Sequence, residues 1–177
     1  AELLRKVSEA CEGMNLVIGP VVEDNYKQIG AGAIGYKHTV SANTPIDINL
    51  AKQLNILLGN LGVQDGQLII DPTTGGLGYG VEYSYSVIER IRIAAVSQQD
   101  ERLQFPMICN LGEEVWKTKE AKIGDTDLMG KGAKRGVIME AITAMLLALA
   151  GADILIMRHP EAINIVREMI ADLTLTT

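Results

Sequence analysis

Residues 67–97 read QLIIDPTTGGLGYGVEYSYSVIERIRIAAVS. A short apolar run ends at Asp71, and Pro72-Thr73-Thr74 follows with four glycines inside six positions, Gly75 to Gly80. Apolar residues then return at helical spacing over 83–97, at Val87, Ile88, Ile91, Ala94 and Ala95. Strand, loop, amphipathic helix: this is one β/α unit. The same grammar runs along the chain. Apolar runs NLVIG (15–19), TVSAN (39–43), PMICN (106–110) and ADILIMR (152–158) are β-rich and continuous rather than alternating, as in strands buried on both faces of a parallel sheet. Between them lie helical stretches. In 47–61, Leu50, Leu54, Leu57, Leu58 and Leu61 form one stripe, with Thr44-Pro45-Ile46-Asp47 as a start signal and Gly62 as a stop. Segment 136–150 and a last helix opened by Pro160 repeat the pattern, and an orphan helix, 2–12, precedes the first strand.

Five β-then-α units predict an α/β fold with parallel strands and right-handed crossovers. A whole (β/α)8 barrel takes about 250 residues, more than the 177 present here. The sequence starts on a helix, so it is read as a single domain, 1–177, forming the C-terminal portion of a TIM (β/α)8 barrel. On that reading the N-terminal strands are missing from this chain. A five-stranded flavodoxin-like domain is the alternative on length alone. Either architecture gathers the chemistry at the carboxyl ends of the strands. That mouth comprises Gly19-Pro20, Ala42-Asn43, Asp71 to Thr74, Asn110 and Arg158-His159. The longest loop is expected from Leu111 to about Arg135 and holds the sole tryptophan, Trp116.

With 47% hydrophobic and 21% charged residues the composition is that of an ordinary globular domain. A net charge of −6 argues against nucleic acid and against an anionic membrane surface as partners. Two cysteines without CxxC spacing exclude a disulfide framework and an all-cysteine iron–sulfur or zinc site within this chain. Free thiols suggest a reducing, cytoplasmic compartment. The longest apolar stretch, 137–157, is broken by Glu140 and Asp153 and does not read as a membrane span.

The glycine loop fails both nucleotide patterns. No GK[ST] follows it, and Val81 stands where GxGxxG needs its third glycine. Glycines there serve either an irregular turn or the close approach of a flat ligand or partner. Asp71, held extended by Pro72, reads equally as a hydrogen-bond acceptor for a heterocycle edge and as the cap of its own turn. His159 is a helix N-cap or a mouth-facing donor. His38 is expected at the surface, Cys109 in the core as a small apolar thiol, and Glu140 in a helix-face ion pair or a contact at the bottom of the barrel. Trp116 suits half-buried packing or an interface anchor. No Ser/His/Asp set, HExxH motif or metal-ligand cluster appears.

Three long strings carry a family resemblance: LIIDPTTGGLGYGVEYSYSVIERIRIAA, QFPMICNLGEEVWKTKEAK and KRGVIMEAITAMLLALAGADILIMRHPEAI. Together with GPVVEDNYKQIGAGAIGYKHTVSANTPIDINLAKQLNILL, they cover nearly the whole chain. They resemble the delta, or small, subunit of the corrinoid/iron–sulfur protein of acetyl-CoA decarbonylase/synthase. The resemblance implies a TIM barrel similar to pterin-binding methyltransferases. It also implies a large (gamma) partner subunit holding a [4Fe–4S] cluster and a corrinoid domain, with the corrinoid shared at the barrel mouth. Methyltransferase and acetyl-CoA synthase would be transient partners. The pair would pass a methyl group between a methyltetrahydropterin or methyltetrahydrofolate and the nickel centre where acetyl-CoA is made or cleaved. This chain would be a non-catalytic subunit within that complex. From their place at strand ends, Asn43, Asp71, Thr73, Thr74, Gly75, Asn110 and His159 are the expected near-ligand positions. The alternatives are a pterin-dependent methyltransferase, or dihydropteroate-synthase-like enzyme, and a purely structural subunit.

Overall fold

The computed structural model describes residues 2–175. Five short strands, β1 (Val17–Val21), β2 (Thr39–Asn43), β3 (Leu68–Asp71), β4 (Ile108–Cys109) and β5 (Ile154–Leu155), are all parallel to their neighbours. β1, β2 and β3 form one sheet and β4 and β5 another, joined by a parallel bridge between Ile70 and Met107. The strands therefore run in the order 1-2-3-4-5. A flavodoxin-like sheet would have the order 2-1-3-4-5, so that alternative is set aside.

Side chains alternate along each strand. Ile18, Val21, Val40, Ala42, Leu68, Ile70, Met107 and Cys109 enter a core shared with the helices. Val17, Gly19, Ser41, Asp71, Ile108 and Ile156 line a concavity on the opposite face. That second face is unevenly covered: Val17 is 49%, Ile154 39% and Ile156 44% exposed. The expectation of strands buried on both faces thus holds for one face throughout and for the other in the middle, at β2, β3 and β4, but not at β1 and β5.

Eight α-helices are described: α1 (Glu2–Ala10), α2 (Tyr26–Tyr36), α3 (Ile48–Leu61), α4 (Val81–Val96), α5 (Leu111–Lys117), α6 (Lys119–Lys122), α7 (Gly132–Ala150) and α8 (Pro160–Thr174). They pack in chain order, α2 between α1 and α3, and α7 between α4 and α8. One start signal differs in detail from expectation. Asp47, not Thr44, caps α3, its Oδ1 accepting from the amides of Asn49 and Leu50 at 2.9 and 3.0 Å. The Thr44 hydroxyl is buried without a partner. Gly62 closes α3 at φ 106° as expected. The long loop from Leu111 to Arg135 is partly helical, holding α5 and α6. Between α6 and α7, the Arg135 guanidinium donates to the carbonyls of Glu120, Ile123, Gly124, Met129 and Gly130 and fixes the path of the chain.

His38 corrects a surface assignment. It is fully buried, its Nδ1 accepting from the Leu16 amide at 3.2 Å and its Nε2 lying 2.8 Å from the Ser8 carbonyl oxygen. Those partners require the tautomer protonated on Nε2, which ties α1 to the start of β1. Lying at the amino ends of the strands, it belongs to the fold rather than to the mouth.

Candidate functional site

The loop after β3 is built around one carboxyl group. Asp71 is 6% exposed, and its Oδ1 accepts from the Thr73 amide at 3.1 Å, the Thr74 amide at 3.0 Å and the Thr73 hydroxyl at 3.3 Å. This is an Asx turn, in which a side-chain oxygen takes the place of a backbone acceptor. Pro72 supplies no amide to compete, and its carbonyl accepts from the Ile46 amide at 3.0 Å. Asn43, at the end of the neighbouring strand, donates from Nδ2 to the Thr74 carbonyl at 3.0 Å. The ends of β2 and β3 are therefore stitched together across the mouth. Gly75 sits at φ 85°, in the left-handed region, and a Cβ there would meet nothing within 4 Å. Its glycine is needed for the turn, and the space above it is open.

These residues border a concavity of about 180 Å³ lined by Val17, Gly19, Pro20, Ser41, Asp71, Thr74, Ile108, Asn110 and Ile156. Residues from all five strand ends thus meet at one site. Of the expected positions, Asp71, Thr74 and Asn110 line it directly. Asn43, Thr73 and Gly75 shape its wall through the loop. The Thr74 hydroxyl is buried with no hydrogen-bond partner. Asn110 is the N-cap residue of α5, yet its side chain makes no capping bond. Sequence reading missed Ser41, which alternation along TVSAN places on the concave side with Asn43.

Cys109 lies directly beneath. Burial pushes its thiol up to about 12, the Thr73 hydrogen bond opposing this and the charges of Asp71 and Asp153 adding to it. A thiol held protonated is no nucleophile. The expectation of a core thiol is met.

His159 stands apart from the loop. It is the N-cap of α8, its Nδ1 accepting from the Glu161 amide at 3.2 Å, and its ring stacks on Trp116 with centroids 5.8 Å apart. Both surround Glu140, which corrects the expectation of a helix-face ion pair. Glu140 is fully buried on α7. It accepts from Trp116 Nε1 at 2.7 Å, from the His159 amide at 3.1 Å and from the Arg158 amide. One carboxyl group therefore joins α5, α7 and the β5–α8 turn. The signal was legible: Glu140 is the lone charge between 136 and 150, and an acid inside an apolar helix needs partners. Among the described residues no group of three or more His, Cys, Asp or Glu is placed to hold a metal ion, and no helix is long and apolar enough to cross a membrane.

A family model described as the CO dehydrogenase/acetyl-CoA synthase delta subunit matches residues 1–177. The chain belongs to this delta-subunit family. Similar proteins include the acetyl-CoA decarbonylase/synthase complex subunit delta of Methanopyrus kandleri, 38% identical over 168 residues, or 94% of this chain and 41% of that protein. Subunit delta 1 of Methanosarcina thermophila is 35% identical over 175 residues, covering 95% of this chain and 40% of the relative. The Archaeoglobus fulgidus subunit delta is also 35% identical, over 95% of this chain and 38% of its own length. The chain thus spans about two fifths of the length of these delta subunits. The Asx turn, the glycine loop and the Glu140 hub all lie within the matched region.

Proposed function

We propose that this chain is the carboxyl-terminal β/α arc of a delta subunit whose strand-end mouth helps enclose a corrinoid carried by a partner subunit. In the whole protein, further strands would complete a TIM barrel similar to those of pterin-binding methyltransferases. The open concave face, with Val17, Ile154 and Ile156 each more than a third exposed, supports that completion, because side chains from added strands would fill it.

The observation that carries the proposal is the shape of the mouth. Its concavity of about 180 Å³ is smaller than the roughly 300–1,000 Å³ of sites that enclose a drug-sized ligand. It does not engulf a macrocycle, which supports a rim lying against one face of a flat one. Gly75 opens onto free space, and Asp71, Thr73 and Asn43 spend their hydrogen bonds on the loop itself. The Asn110 side chain, which makes no capping bond, remains available for contact. A bound corrinoid would supply the cobalt that carries a methyl group between a methylpterin and the nickel centre of acetyl-CoA synthase. This chain's residues would cover one face of it and keep water away. The protonated Cys109 supports a covering role over a nucleophilic one. The large corrinoid/iron–sulfur subunit is the proposed lasting partner, with methyltransferase and acetyl-CoA synthase as transient ones, in the cytoplasm.

The test is co-expression of the full-length protein with its corrinoid-bearing partner, followed by a visible spectrum of the purified pair. Retained corrinoid is expected, with Asn110→Arg lowering retention while the pair stays intact. Methylpterin turnover by the isolated full-length protein would overturn the proposal in favour of a pterin-dependent methyltransferase.

A further inference from the structure

The acid at the end of β3 has one oxygen that its loop does not use. All three hydrogen bonds of the Asx turn go to Asp71 Oδ1. Among the described residues no group donates to Oδ2 and no cation pairs with it. On the neighbouring strand Ser41 is in the same state, 8% exposed with no partner for its hydroxyl. Neither oxygen is sealed in. Among the described residues, the enclosed side-chain atoms without a partner belong to Thr44, Asn55, Thr74 and Ser84. Asp71 Oδ2 and Ser41 Oγ therefore touch open space, and the space that both residues line is the concavity of the mouth.

Burying an acceptor costs free energy unless a donor replaces the lost water. The turn itself does not call for that cost. Asparagine builds the same turn through its single oxygen, so an acid differs only at the second oxygen, where asparagine would present an N–H2 group. Across the concavity stands Asn110, whose amide makes no capping bond. The bridge between Ile70 and Met107 sets Asp71 beside Ile108, with Asn110 two residues further along. Strands about 4.8 Å apart and a step of about 6.7 Å for two residues separate the Cα atoms of Asp71 and Asn110 by roughly 8 Å. That is the span of one planar group hydrogen-bonded at both edges. The remaining walls include Val17, Pro20, Ile108 and Ile156. They cannot replace the water of a metal ion or an ammonium group, which needs more ligands than one acid and one hydroxyl.

We propose that the concavity is a subsite for a neutral planar group carrying N–H donors beside a carbonyl. Its N–H groups donate to Asp71 Oδ2 and Ser41 Oγ, and its carbonyl accepts from Asn110 Nδ2. This rests on the mouth-covering reading above. Two ligand parts have that chemistry: a carboxamide arm on the rim of a corrin ring, and the aminopyrimidinone edge of a pterin. A space of about 180 Å³ admits either group and leaves the rest of its molecule outside. A carboxylate of the same shape is rejected, because it has no N–H to give and meets an acid. A side chain from further strands of this protein is the competing occupant, and stability separates it from a ligand.

The experiment uses the full-length protein paired with its corrinoid-bearing subunit. Corrinoid release is followed by the visible spectrum and methyltetrahydrofolate binding by equilibrium dialysis. Asp71→Asn, which keeps the turn, is expected to speed corrinoid release or to weaken methyltetrahydrofolate binding at least about ten-fold, the size of a lost hydrogen bond to a charged group. Ser41→Ala should shift the same quantity at least about three-fold. Asn110→Asp, which caps a helix as well as asparagine does, should shift it too. An effect on release assigns the subsite to a corrin carboxamide, and an effect on dialysis alone assigns it to a pterin edge. Melting temperatures of the isolated full-length variants should match wild type. Release and binding both within about two-fold of wild type in all three variants, with corrinoid retained, would overturn the proposal and leave the covering reading standing. A large loss of melting temperature in Asp71→Asn or Ser41→Ala also overturns it, because it assigns these oxygens to the protein's own chain. A wild-type pair that holds no corrinoid and binds no methyltetrahydrofolate refutes the covering reading, and this subsite with it.

Discussion

Asp71 separates two roles that a strand-end carboxylate can play, and a pair of substitutions distinguishes them. Its Oδ1 receives two backbone amides and a hydroxyl, from Thr73, which is fully buried, and Thr74, which is half-buried. In Asp71→Ala those donors lose their acceptor. At about 1–3 kcal/mol for each buried unsatisfied group, with water able to reach the half-buried Thr74 amide, the two donors of Thr73 bring the loss to roughly 2–6 kcal/mol. Asp71→Asn keeps an oxygen in the same place and removes only the charge. Urea unfolding of the full-length protein should give a lower midpoint for the alanine variant and a midpoint within about 0.5 kcal/mol of wild type for asparagine. If the side chain only shapes the loop, the asparagine variant also retains corrinoid in the paired complex. Normal stability with lost retention would show that the charge meets the ligand. An asparagine variant as unstable as alanine, or an alanine variant as stable as wild type, refutes the Asx-turn account itself.

Glu140→Ala strands three N–H donors and should cost about 3–5 kcal/mol, with Glu140→Gln costing less because its oxygen can still accept while its amide opposes one donor. Trp116 is the only tryptophan, so its emission spectrum reports the change at this hub directly. A Gln variant equal to wild type in stability and emission would contradict the hydrogen-bond assignment. For Cys109 the thiol is raised by burial, so the folded state holds its proton longer than the unfolded one. That contribution is constant below about pH 9 and is lost as pH rises towards 12. Iodoacetamide at pH 8 should label Cys11, which is half-buried, and spare Cys109 in the native protein; equal labelling would show that the core opens. His38→Ala removes its bond to Ser8 of α1 and its bond to Leu16 before β1, and proteolysis or hydrogen exchange should reveal selective release of residues 2–10, with a loss of about 2–4 kcal/mol if the two regions unfold together.

Much of this was legible because the fold uses strong local signals. TVSAN became β2 residue for residue, and Gly62 ended α3 where the leucine stripe stopped. The shorter strands were less visible: PMICN yields two strand residues and ADILIMR two. Their remaining amides and carbonyls pair irregularly, as where Asp153 Oδ2 takes the Met107 amide at 2.7 Å. Helix α2 was not marked out, since YKQIGAGAIGY has three glycines and few apolar anchors, and its helix depends on packing against α1 and α3. The mouth followed from strand polarity alone. His38 did not, because its burial is decided by partners distant in sequence, Ser8 and Leu16; for Glu140 the lone acid in an apolar helix signalled burial, but its partners, Trp116 and Arg158, are equally distant.

That difference bears on how such a mouth works. The loop spends most of its polar groups on itself, and internal satisfaction makes it rigid before any ligand arrives, so no ordering cost falls on binding. It also leaves few groups with which to hold a ligand tightly. A substrate site of an enzyme acting alone needs more convergent donors than the Asn110 side chain provides. On the proposed reading the scarcity is useful. A methyl carrier must be covered to exclude water, yet uncovered for donor and acceptor in turn, and a lid bound through many strong contacts would open slowly. Affinity can then reside elsewhere, on a surface that stays engaged while the mouth opens and closes.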